Sequence, residues 1–158
     1  MFARLFGLFG IWQWGKSAIL APSADPVERH IVNAQVLVNT IYQVLENGAY
    51  LSSKGVLGWS PEKQGKAWTW SSRCWCAHTA LEFVRLARER QIRKRAGEKG
   101  EEAVKDLAWQ REVLINSGYA PLTVHWSLEG GIISPLVVGL CGTFVGAVKM
   151  NRLWEATA

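Results

Sequence analysis

Apolar and polar positions alternate along this chain with a period of three to four residues, not two, so it reads as a series of helices without strands. The stretch from Phe2 to about Leu20 is apolar nearly all round between Leu5 and Trp14, as in a helix that is buried or in lipid. Its uncharged part, Leu5 to Gly15, is too short at about 1.5 Å per residue to cross a bilayer. "SADPVERH" opens a second helix, with Asp25 as cap, Pro26 in the first turn and Glu28 at a capping-box-like spacing. Val27, Ile31, Ala34, Val38, Ile41 and Leu45 then form one apolar stripe, a face for packing on a helix or on lipid head groups. Asn39, Gln43 and Glu46 lie opposite it.

"SSKGVLGWSPEKQGK" reads as a loop because of its glycines and proline. A third helix follows from about Trp68 to Arg95, carrying Trp70, Cys74, Ala77, Leu81 and Val84 at helical spacing. "AGEKGEE" breaks it at Gly97 and Gly100. A fourth helix, about Glu101 to Asn116, packs through Val104, Leu107, Ala108 and Leu114, and "NSGYAPL" reads as a turn.

The last segment differs in kind. Gly130 to Val148 is 19 residues without a charge. That is about 28 Å if helical, close to the roughly 30 Å of a bilayer's hydrocarbon. Gly139, Gly142 and Gly146 share one side of it with Pro135. In water each glycine costs about 1 kcal/mol against alanine, whereas in lipid a bare backbone lets another helix approach closely. Trp126 before the segment and Trp154 after it stand where interfacial anchors belong, with Lys149 and Arg152 at the exit. The expected architecture is therefore all-α: about four helices plus a C-terminal Gly-rich transmembrane or membrane-embedded helix, in a single domain over residues 1–158. Local Lys/Arg counts favour a cytosolic C-terminus, but the larger basic run lies about 30 residues before the span, beyond the rule's reach, so the sequence does not fix topology.

Composition sharpens this. Nine tryptophans suit boundaries between wet and apolar surroundings, and Phe2, Phe6, Phe9 and Trp12 are the candidates for lipid insertion at the N-terminal end. The net charge of +5 is concentrated in one run, where Arg85, Arg88, Arg90, Arg93, Lys94 and Arg95 are candidates for anionic head groups or targeting. Three cysteines without paired spacing argue against a disulfide scaffold. Cys74 and Cys76 point to nearly opposite sides of a helix, so with His78 they make no zinc set. No phosphate loop, nucleophile elbow or dinucleotide fingerprint occurs. His125 with Glu129 and Ser127 is the only constellation an enzyme could use, and it lacks a third partner. No catalytic residue, metal, cofactor or nucleic-acid partner is expected.

Three stretches, "DPVERHIVNAQVLVNTIYQVLENGAYLSSKGVL", "WSSRCWCAHTALEFVRLARER" and "HWSLEGGIISPLVVGLCGTFVGAVKMNRLW", resemble the peroxisomal biogenesis factor 11 (peroxin-11) family, most closely its fungal C-type, gamma-like branch. The resemblance runs from about Phe2 to Trp154, and the family has further residues before the position matching Met1. It implies an integral protein of the peroxisomal membrane that promotes elongation, fission and proliferation of the organelle. The family's means are insertion of amphipathic helices, membrane remodelling, self-association or association with other members, and recruitment of fission machinery. A pore or carrier for small metabolites is the alternative, and it needs polar residues such as Asn33, Asn39 and Gln43 within the bilayer.

Overall fold

The computed structural model describes residues 5–96 and 102–157. Five helices follow one another: α1 (Gly7–Leu20), α2 (Pro26–Ser53), α3 (Pro61–Ala96), α4 (Glu102–Ser127) and α5 (Pro135–Thr157). The second starts as its sequence requires. Asp25 is extended, its Oδ1 accepts the Glu28 N–H at 2.9 Å, and Pro26 fills the first turn. Three boundaries differ from the sequence reading. The third helix begins at Pro61, inside the supposed loop, because Ser60 Oγ accepts the Lys63 N–H at 3.2 Å and Pro61 suits the first turn. The fourth runs through "NSGYAPL" to Ser127 with Pro121 in its interior. An interior proline costs about 3 kcal/mol. Its neighbours Leu122 and Thr123 are almost fully buried, so packing overrides the local preference. The fifth starts only at Pro135, since Gly130 and Gly131 turn the chain with φ of 81° and 67°. The 19-residue uncharged run is therefore a turn plus the first part of a helix. Phe2, Gly97 and Gly100 lie outside the described residues, as does the side chain of Val104.

Each helix packs antiparallel on the one before it, as the paired residues show. Gly7 and Gly15 of α1 meet Gln43 and Val36 of α2. Asn39, Gln35 and Asp25 on the α2 side meet His78, Glu82 and Arg88 of α3. Trp75 of α3 stacks on Trp126 of α4, and the Trp109 indole donates to the Leu86 carbonyl. Gly118 of α4 faces Val145 of α5. The helices form a curved layer in chain order, and a cleft of about 500 Å³ on one side is lined by residues of all five.

The register aligns segments that are far apart in sequence. Ile31–Leu45 of α2 holds 15 residues without a charge, and Val113–Leu128 holds 16 apart from His125. Ala67–Leu81 of α3 has Arg73 as its only charge, and Pro135–Val148 of α5 has none. Antiparallel packing overlaps these segments, each roughly 21–24 Å long by helical rise, into a belt, with α3 offset so that Glu82 stands at the level of Gln35. Within it polar and apolar side chains share the interior, and many large apolar ones face out. Gln35, Gln43, Ser71, Thr79, Asn116, Thr123 and Ser127 are buried beside Ile31, Ala67, Ile115, Leu122 and Val145, while Leu37, Ile41, Val44, Trp70, Val124, Leu136, Leu140 and Phe144 are exposed. This corrects the reading of α2. Its polar Gln43 and Glu46 face the neighbouring helices, and Ile41 of the supposed packing stripe points outward.

Candidate functional site

Two features of the layer bear on function, its apolar outer belt and its polar cleft. The belt includes the N-terminal residues singled out in the sequence: Phe6, Phe9 and Trp12 are all more than half exposed on α1. The α1 backbone lies close to α2 because Gly7 and Gly15 leave no side chain between them, which turns the aromatic face outward. Trp154 is 73% exposed on the last turns of α5. Trp126 belongs to α4 and not to the span, and it is partly occupied by Trp75, 5.7 Å away. Among the described residues α5 is the one helix long and apolar enough to cross a membrane, and only 6% of its apolar window is buried.

Gly139, Gly142 and Gly146 pack on nothing within the chain. A Cβ at any of them would meet open space. The α5 side that contacts α4 centres on the buried Val145, about 100° round the helix. The close approach uses Gly118 of α4 instead, where a Cβ would lie 2.5 Å from Val145 Cγ2 and 3.0 Å from Phe144 Cδ1. Sequence reasoning assigned Gly118 to a turn and so missed it.

The basic run is largely committed to the fold. Arg85 bonds Glu82 and Glu89, and Arg88 bonds Asp25 at 2.6 Å. Arg93 bridges Glu89 and Asp106, and Arg90 lies over the Trp109 ring. Lys94 and Arg95 stand exposed near the end of α3. The run is thus not a set of free charges; Arg88, Arg90 and Arg93 tie α3 to its neighbours, and Arg85 is paired within α3. The Arg88 guanidinium, with the Glu28 N–H, holds the Asp25 carboxyl down at about 2 from an ordinary 3.8. A depressed carboxylate stabilises the fold above its ordinary pKa, and that contribution disappears as pH falls towards about 2. Asp25→Asn keeps a cap acceptor but cannot ionise. Its melting temperature should lie below the parent's at neutral pH and converge on it in acid.

His125 is a structural latch. Its Nδ1 accepts the N–H groups of Ile132 and Ile133 at 2.9 and 3.2 Å, and Gly131 lies against its ring. The "HWSLEGGII" block therefore shapes the α4–α5 turn. Ser127 is buried and donates to the Thr123 carbonyl at 2.6 Å, so these residues form no nucleophile–base pair.

The cleft is where the buried polar groups converge. Gln35 Nε2 donates to Glu82 Oε2 at 2.7 Å, Glu82 holds Arg85, and Asn39 Nδ2 donates to His78 Nδ1 at 2.8 Å. On the far wall Lys149 Nζ donates to the Tyr119 hydroxyl and Arg152 to Glu112, both at 2.7 Å. Of the polar residues picked for a pore, Asn39 joins this network, Gln43 is buried lower on α2, and Asn33 is exposed. The group Gln35, Glu82, Asn116 and Tyr119 was not read from the sequence, since each looks like an ordinary polar position until the register is known.

No family model matches the chain, and no solved structure matches it. It is 32% identical over 127 residues to an uncharacterized protein of Schizosaccharomyces pombe, an alignment that covers 80% of this chain. The chain spans 59% of the length of that relative.

Proposed function

We propose that this chain is a non-catalytic integral membrane protein that shapes the bilayer in which it sits, in the manner of the peroxin-11 proteins it resembles. The observation that carries the reading is the belt of exposed apolar side chains. Exposing a Leu-, Ile- or Phe-sized side chain to water forfeits about 1.5–3 kcal/mol, and here such residues ring the layer on every helix. Acyl chains remove that cost, and they also favour polar groups turned inward on one another, as seen. The apolar α1, held at the edge of the layer, is the element that expands one leaflet. The open face at Gly139, Gly142 and Gly146 contacts a second copy. By the family resemblance the membrane is that of the peroxisome and the outcome is its elongation and division.

Carbonate extraction of organelles carrying the chain, with peroxisome counts, tests location and role. The chain should stay in the membrane pellet and raise the number of peroxisomes; release into the supernatant would defeat the proposal. Gly142→Leu with Gly146→Leu should weaken cross-linking between copies at least several-fold while leaving the melting temperature unchanged, as the glycines touch nothing within the chain. A second reading, a pore or carrier, is favoured by the five-helix polar cleft. Purified protein that passes ions across liposomes without deforming them would favour it.

A further inference from the structure

A groove of about 380 Å³ runs between α2 and α3 and shares no residue with the polar cleft. Ile41 and Leu45 line it from α2, and Ala67, Trp70 and Cys74 from α3. The α3 residues lie four, seven and eleven positions after Lys63, so with it they form one stripe of the helix, about 16 Å long by helical rise. Trp59 is the fixed wall. Its ring rests on Gly48, where a Cβ would have no room. Its backbone N–H donates to Ser52 Oγ at 3.2 Å, and its carbonyl accepts from Gln64 Nε2 at 3.2 Å. The loop before α3 therefore holds this indole in place ahead of any ligand, so binding costs little ordering there.

Charge enters the groove only at its mouth, through Lys63 and Lys66. Lys63 Nζ lies 4.6 Å from the centroid of the Trp59 ring and meets no carboxylate among the described residues, so its N–H groups are open to an acceptor. Lys66 pairs with Glu62 at 2.6 Å, but the two side chains are 70% and 76% exposed, and a pair so solvated contributes little and exchanges readily. The mouth thus keeps one uncompensated positive charge at the head of an apolar trough. That combination suits an amphiphile with an anionic head. Position selects the class. Ala67 opens the part of α3 whose only charge is Arg73, so both lysines stand at the edge of the belt. In a bilayer that edge is the level of the head groups, and the trough descends from it among the acyl chains.

We propose that this groove holds one acyl chain of an anionic phospholipid, whose phosphate sits on Lys63 and Lys66. This rests on the membrane reading above. A choline head group would bring its own cation beside the two ammoniums, and an apolar helix laid in the groove would leave Lys63 without a counter-charge.

The test uses the full chain in nanodiscs made from equal parts dioleoyl phosphatidylglycerol, dioleoyl phosphatidylcholine and oleic acid. The protein is then extracted in detergent, repurified, and its retained lipid measured by mass spectrometry. Phosphatidylglycerol should be enriched over phosphatidylcholine on the order of 5-fold, the factor that one basic side chain contributes at an anionic surface. Equal retention of the two phospholipids overturns the proposal, and oleate in excess of phosphatidylglycerol overturns the phospholipid assignment. Lys63→Gln with Lys66→Gln should bring the ratio to parity. Lys94→Gln with Arg95→Gln, exposed charges at the other end of α3, should leave it unchanged. Enrichment that survives the first pair overturns the site, and so does enrichment lost equally in both, which would mark a diffuse charge effect. Leu45→Trp, which fills the trough, should lower retention of both phospholipids at least several-fold; unchanged retention overturns the placement of the acyl chain. The lysine variants alter exposed side chains, so they remain informative should Leu45→Trp fail to fold. Release of the chain by carbonate defeats the membrane reading itself, whereas a membrane-held chain without lipid preference defeats only this inference.

Discussion

Leucine in place of Glu82 is expected to destabilise the purified protein by about 3 kcal/mol, the lower end of what breaking a buried ion pair costs. Glu82 and Arg85 keep only 13% and 22% of their side-chain surface exposed. Removing the carboxylate strips Arg85 of its nearest partner and leaves the Gln35 amide nitrogen without its acceptor, in a protein interior where neither is rehydrated. Arg85 retains Glu89 at 3.3 Å, which is why the lower end of the range applies. The double variant Glu82→Leu, Arg85→Leu removes both charges together and should recover most of the loss, since an apolar pair of similar volume is commonly neutral. Denaturation in mild detergent, followed by helix content, measures both. A single variant as stable as the parent would show that the network contributes nothing.

The second large effect is at Gly118. A side chain there has no room: even a Cβ would meet Val145 and Phe144 at 2.5 and 3.0 Å, and Phe144 and Val145 sit in the middle of α5. Gly118→Leu should therefore cost about 1–3 kcal/mol or more through overpacking and loosen α5 from α4. Tyr119 to Lys149 and Glu112 to Arg152 would lengthen with it. The contrast with Gly142→Leu is the diagnostic part. Both changes add the same side chain within the same helix pair, yet one enters a packed contact and the other open space. Limited proteolysis of α5 should accelerate in the first and not in the second. Equal behaviour would refute the α4–α5 geometry.

The local code was legible in the sequence where a short-range interaction decides the outcome. Asp25 and Pro26 start α2 because the carboxylate accepts the free Glu28 N–H three residues on and proline suits the first turn. The all-helical class and the aromatic N-terminal face follow from periodicity and composition in the same way. Gly130 and Gly131 were counted with the helical run and instead turn the chain before α5, because positive φ is cheap only for glycine. The proline of "NSGYAPL" was misread for the converse reason. Its local cost is real, but burial of Leu122 and Thr123, which no window of sequence contains, exceeds it.

What only the tertiary structure decided is which side of each helix is inside. Amphipathicity says that two faces differ; it does not say whether the polar or the apolar one is turned to the neighbours, because that depends on the medium outside. Ile41 and Gln43 sit two residues apart, and the antiparallel register turns the second inward and the first outward. The same register gathers Gln35, Glu82, Tyr119 and Lys149 from four helices into one cleft. Sequence determined the helical class and the start of α2, since those are settled within a few turns of chain. The belt and the cleft are properties of alignment between helices, fixed by contacts such as Gly118 on Val145 that join residues far apart along the chain.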